Sequence, residues 1–150
     1  MAMRAALCFA LSGLTATATA QTASAPESWT PINHTAQIIT GRVTFAPPEI
    51  TFQNGKSLSL APAGQMLFRP EPKQKKTTAD LFKVTSPDNP LLENGNTLCK
   101  GKSVAYLLVW KPERTGNEAD LRTLAPFSGP KFIAGSPDDC GRYIYDAGKH

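Results

Sequence analysis

The chain has 150 residues, within the usual size of one domain, and 16 basic against 12 acidic side chains give it a formal net charge of +4. That excess is too mild for a dedicated nucleic-acid binder, so no nucleic-acid partner is expected. Beyond the first 20 residues, nothing has the length or apolarity of a bilayer-spanning helix, which needs roughly 20 apolar residues.

Residues 1–20 read as a signal peptide. A short segment ending in Arg4 precedes an apolar stretch over residues 5–14, and a run of small residues ends in Ala18-Thr19-Ala20, after which cleavage is expected. Leu7 stands before Cys8 where a lipoprotein cleavage site needs a small residue, so no lipid anchor is expected. Loss of the leader removes Arg4 and leaves a charge of +3 and two cysteines, Cys99 and Cys140. In an oxidising compartment these have one intramolecular pairing, which closes a loop of roughly 40 residues and stabilises the fold by about 4 kcal/mol in the chain-entropy view. The expected location is periplasmic or secreted.

Residues 21–35 are rich in Ala, Ser, Thr and Pro and predict a flexible lead-in, with Trp29 docking on the edge of a single β-rich domain over residues 36–150. Alternation begins in Arg42-Val43-Thr44-Phe45, with Gly41 marking a bend and Pro47-Pro48 a break. Ile50-Thr51-Phe52 and Leu58-Ser59-Leu60 flank Gln53-Asn54-Gly55-Lys56. The pattern predicts a hairpin with a type I′ turn at Asn54-Gly55 and Ile50, Phe52, Leu58 and Leu60 facing inward.

Residues 65–69 predict another short strand, ended by the Pro- and Lys-rich segment 70–76. Leu81 to Thr85 resumes the alternation, Ser86-Pro87-Asp88-Asn89-Pro90 interrupts it, and Asn94-Gly95 is a second turn signal. Residues 103–110 are apolar at nearly every position, which predicts a strand buried on both faces. Residues 120–127 read as a strand or a short helical turn, and Arg142-Tyr143-Ile144-Tyr145 as a final strand. Seven to nine short strands with regular turns predict an all-β class: a small antiparallel sandwich or barrel with one disulfide.

No catalytic signature is present. The Gly-x-Ser-x-Gly of a nucleophile elbow is missing, and His34 and His150, the only histidines, stand apart in a loop and at the terminus. With the cysteines assigned to a bridge, no metal site and no cofactor are implied. Asp138-Asp139 follow Ser136-Pro137 and read as turn residues; with Asp120 they are the carboxylates a hydrolase reading would use. Asn33-His34-Thr35 matches the N-glycosylation triplet; the short leader reads as bacterial, and in a bacterial protein the triplet would carry little weight. Lys73, Lys75 and Lys76 form the one local concentration of positive charge, suited to an anionic envelope component or an acidic protein. Phe127 and Phe132, in the segment 126–132, read as exposed binding aromatics.

Ser128-Gly129-Pro130-Lys131-Phe132 resembles the Ser-Gly-x-x-aromatic motif of the periplasmic inhibitors of C-type lysozyme, with Phe132 in the usual tyrosine place and Pro130 a departure. The resemblance implies a disulfide-closed β-barrel in which Ser128 enters the lysozyme cleft while the neighbouring polar side chain meets its catalytic acids; Lys131 is counted with Ser128 among the candidate binding residues. Taken together, the residues point to an exported, non-enzymatic binding or accessory domain recognising a protein or envelope component. Lysozyme inhibition, a small-ligand barrel lined by Phe45, Phe52 and Tyr106, and a carboxylate hydrolase are the alternatives.

Overall fold

Wherever the sequence alternates apolar and polar residues at two-residue spacing, successive side chains fall on opposite faces of a strand, and one face buries. In a computed structural model, which describes residues 25–113, 120–133 and 139–148, this alternation builds eight strands. They are β1 (Glu27–Pro31), β2 (Val43–Ala46), β3 (Glu49–Phe52), β4 (Ser57–Phe68), β5 (Thr77–Asp88), β6 (Val104–Trp110), β7 (Leu121–Phe127) and β8 (Tyr143–Asp146). One short helix, α1 (His34–Ile39), lies between β1 and β2, and a single 3-10 turn covers Glu93–Gly95. Each strand pairs antiparallel with the next and β8 pairs with β1, so the sheet closes into an up-and-down barrel. The all-β expectation holds, and of sandwich and barrel the chain adopts the barrel. The expected leader, residues 134–138 and His150 lie outside the described residues.

The expected flexible lead-in is corrected from Glu27 onward. Residues 27–31 are β1, paired with both β2 and β8, and Trp29 lies fully buried in the core rather than docked on an edge. Its ring stacks on Phe45, with centroids 4.6 Å apart, and leans on Tyr145 at 5.7 Å. So large an apolar side chain outweighs the polar, Pro-containing context that argued for a loose tail.

Two strands are longer than their sequence suggests. The segments expected at Leu58–Leu60 and at residues 65–69 are one strand, β4, because a register shift between Pro62 and Gly64 absorbs the proline as a bulge. Likewise β5 runs through Pro87 to Asp88, with an irregularity against β6 after Lys83. The two Asn-Gly pairs make different turns. At the β3–β4 hairpin only Gly55 has positive φ, and Gly55 N–H donates to Phe52 O while Phe52 N–H donates to Lys56 O: a type I turn followed by a glycine bulge. The type I′ geometry expected there occurs instead at Asn94 and Gly95, with φ of 54° and 73° and Asn96 N–H donating to Glu93 O.

The interior is filled. Val43, Ile50, Phe52, Leu58, Leu60 and Leu107 point into it as the alternation requires. A second cluster covers the outer face of β4 to β7, where Phe68, Leu108, Trp110, Ala125 and Phe127 are all buried. The apolar run of β6 therefore buries both faces, as its sequence predicts.

Because connections in an up-and-down barrel alternate between ends, α1, residues 53–56, the 89–103 loop and the β7–β8 connection share one end. That end is capped. Ala36, Leu92, Leu98 and Cys99 pack onto the core, and Asn94 and Asn96 side-chain amides donate to Ile38 O at 3.0 and 3.2 Å. The Cys99–Cys140 disulfide ties the two long loops of this end together, as expected from the cysteine count. Closing a loop with a sequence separation of 41, it stabilises by about 4 kcal/mol in the chain-entropy view.

The β1–β8 seam has only two residue pairs, Thr30 with Asp146 and Pro31 with Tyr145. Asn33 reinforces it: its Oδ1 accepts from Ala36 N–H as the N-cap of α1 and from Ile144 N–H, and its Nδ2 donates to Arg142 O. With both ends of the amide engaged, Asn33→Ala should lower unfolding free energy by about 1–2 kcal/mol, read as a lower urea midpoint at unchanged m-value.

Two buried phenols face the core from β8. Burial pushes Tyr143 up to about 12, and burial likewise raises Tyr145, against the opposing effect of its 2.7 Å hydrogen bond with Thr40. A phenol that keeps its proton longer in the folded state contributes stability that is full below pH 10 and lost as pH rises from 10 toward 12. Equilibrium unfolding across that window should show a loss of roughly 3 kcal/mol from Tyr143. In Tyr143→Phe the decline should be shallower.

Candidate functional site at the open end of the barrel

At the end opposite the cap, β4 and β5 run on past β3: β3 pairs with β4 only over Ser57–Ser59, while β4 continues to Phe68. The inward-facing positions there lie beyond the packed core. They line a mouth of about 460 Å³ whose wall includes Glu27, Phe45, Gln65, Thr78, Asp80 and Arg122, with Lys111 at the rim. Phe45, half-buried, is braced from below by Trp29 and edge-on by Phe82 at 5.5 Å.

Arg122 is the unexpected residue of this end. It sits in the inward phase of β7, two residues before the core residue Leu124, and its side chain is only 6% exposed. A buried cation needs paired and hydrogen-bonded neighbours. Arg122 has them: Nε donates to Glu27 Oε2 at 3.1 Å, Nη1 to Asp120 Oδ1 at 2.7 Å and Nη2 to Asp120 Oδ2 at 3.2 Å. Glu27 Oε2 also accepts from Trp29 Nε1–H at 2.8 Å. Burial disfavours the charge on Glu27, but the Trp29 and Arg122 donors and the nearby positive charge outweigh it and hold the carboxyl below its ordinary 4.5. Burial would lower Arg122, and its two carboxylate partners raise it instead. Sequence reasoning missed Arg122; the available signal was a cation in phase with the inward side of an otherwise apolar strand.

The lysine segment adjoins this mouth. Residues 69–76 connect β4 to β5, and Lys73, Lys75 and Lys76 line a cleft of about 450 Å³ with Gln74, Pro112 and Glu113. The cleft and the mouth meet at Thr77. Lys75 Nζ lies 3.2 Å from Glu113 Oε1, a pair so exposed that it contributes little to stability.

The other predicted binding residues are at the capped end, so the structure does not bring the two groups together. Phe127 is a correction: at 2% exposure it is a core residue of the outer cluster rather than a binding aromatic, because its outward face is covered. Phe132 packs edge-on against Phe127 at 4.6 Å and against Tyr106 at 6.3 Å, half-buried, and Lys131 is exposed. Ser128 lines a small depression beside the disulfide with Lys100, Lys102 and Asp139. Tyr106 is also a correction as an interior residue, since it lies in the outer cluster and its hydroxyl donates to Pro130 O. Phe52 is packed core.

The carboxylates do not converge: Asp120 pairs with Arg122 at the open end and Asp139 with Arg142 at the capped end. Asp138 lies outside the described residues. His34 is exposed at the start of α1, and among the described residues no group of His, Cys, Asp and Glu has the makings of a metal site. No helix of the described residues is long and apolar enough to cross a membrane.

Since the folded pKa of Glu27 is lowered, its contribution to stability is present above pH 4.5 and lost as pH falls through the folded value. Glu27→Gln, at a side chain 44% exposed and so partly screened by solvent, should cost about 0.5–1 kcal/mol at neutral pH. Its urea midpoint should also fall less steeply under acid than that of the parent. Comparison with protein-family models, with curated proteins and with solved structures found no match to this chain.

Proposed function

We propose that the protein is an exported, non-enzymatic binding domain of the periplasm or extracellular medium that engages an anionic envelope component or acidic protein surface through the open end of its barrel. The observation that carries this reading is the convergence of Lys73, Lys75 and Lys76 on one cleft beside the mouth, where Glu113 is the only acid among the described lining residues. Three ammonium groups around one concavity raise the local concentration of an anionic ligand and bind it with strong salt dependence. The disulfide is in keeping with an oxidising compartment. The capped end supports the same assignment by contrast. Its loops are tied down by a covalent bond and by hydrogen bonds to α1, which suits a stable base better than an adaptable surface.

Calorimetric titration with polyglutamate at low ionic strength provides the test. The wild type should bind, with affinity falling as salt is added, and the double reversal Lys73→Glu, Lys76→Glu should lose binding by about tenfold or more while keeping its thermal midpoint. Absence of binding by the wild type, or equal binding by the reversal variant, sinks the reading.

A further inference from the structure

We infer that the mouth of the barrel is a saccharide site: it seats a sugar ring against Phe45, with the hydroxyls held by Glu27, Gln65 and Asp80. This rests on the reading of the open end as the binding end and specifies what enters it.

The first argument is size. A concavity of about 460 Å³ lies in the range of ordinary small-molecule sites, roughly 300–1,000 Å³, and holds one or two sugar rings.

The second is charge. Of the residues lining the mouth, Glu27 and Asp80 are balanced by Lys111 and Arg122, and Arg122 is already held by Glu27 and Asp120. The site therefore favours neither a free cation nor a free anion. A wholly apolar ligand would strand polar groups away from water, which is costly.

The third is hydrogen-bonding capacity. Glu27 uses Oε2 for Trp29 and Arg122, and Asp80 uses Oδ1 for the 2.7 Å bond from Gln65 Nε2–H. Glu27 Oε1, Asp80 Oδ2 and Gln65 Oε1 have no partner among the described residues. Lys111 Nζ, 3.9 Å from Asp120 and mostly exposed, supplies donors. Acceptors beside an ammonium donor match hydroxyls, each of which both gives and takes a hydrogen bond. The Phe45 ring, held in place by Trp29 and Phe82, offers the apolar platform that the C–H face of a sugar needs. The lysine cleft meets the mouth at Thr77, so acidic substituents of a bound glycan have a cation-lined path away from the ring.

The experiment titrates the full mature protein with chitotriose, cellotriose and trigalacturonate, each by calorimetry, with polyglutamate as a sugar-free anion and spermidine as a cation. At least one trisaccharide should bind saturably. Asp80→Asn, a change of one exposed side chain that leaves the core intact, and Phe45→Ala should each weaken that binding by about tenfold while leaving polyglutamate binding unchanged. Polyglutamate binding with no trisaccharide binding overturns the saccharide inference and leaves the lysine reading standing. Saccharide binding without polyglutamate binding supports the inference and removes the lysine cleft. Saturable spermidine binding in place of the sugars, sugar binding untouched in both variants, or no binding of any probe overturns it.

Discussion

The barrel depends on closing its sheet across the shortest ladder it has. Two residue pairs join β1 to β8, so the seam is supplied from outside the ladder: by the Asn33 amide, by Ile32 N–H donating to Ile144 O, and by the Thr40–Tyr145 hydrogen bond. Closure removes the exposed edges that an open sheet of this size would present. It also fixes register at the seam, because a one-residue slip of β1 or of β8 would turn Trp29 or Tyr145 from core to solvent. These two rings lie against each other just inside the seam, and their burial holds shut what two backbone pairs alone would not.

The difference between the two ends follows from where the chain spends its connections. The capped end receives α1 and two long loops joined by the disulfide, and their apolar residues complete the core. Gly41 belongs to the same device. With φ of 59° it ends α1 and turns the chain into β2, and a Cβ there would overlap the Gln53 side chain that accepts from Arg42 N–H. Among the described residues of the open end are a two-residue turn at Pro47-Pro48 and the β4–β5 hairpin, which projects past β3 and supplies part of the wall of the mouth.

What the sequence made legible was whatever a period of two writes plainly. The β3–β4 hairpin, the doubly buried β6, the final strand and the Cys99–Cys140 pair were all readable, because each depends on local alternation or on a count. β1 was not readable, since its one large apolar residue sits among Ser, Thr and Pro and its partners come from β2 and β8. The continuity of β4 through Pro62 and of β5 through Pro87 was hidden because proline reads as a break, and only the ladder shows a bulge accommodating it. Phe127 was misread for a related reason: its position in the outward phase implies solvent unless a second apolar layer exists, and that layer is assembled from four strands. Of the candidate site, the lysines were visible as a charge cluster, whereas the mouth beside them draws one to three residues from each of β1, β2, β4, β5, β6 and β7, which no one stretch of sequence joins.

The mouth nonetheless has a rule. A small eight-stranded barrel has an interior that side chains can fill, and here inward positions are apolar through the middle of the strands. Toward the open end the inward phase changes character strand by strand: Glu27 lies two residues from Trp29, Asp80 two from Phe82, and Arg122 two from Leu124. Each of those polar side chains would be expensive one step deeper, where no water and no partner reach it. At their actual level they satisfy one another, and Arg122, the deepest, is held by acids from β1 and from the residue just before β7. The core thus stops where the inward residues become polar, and above that boundary those polar groups, once paired, still hold acceptors that nothing in the described chain uses.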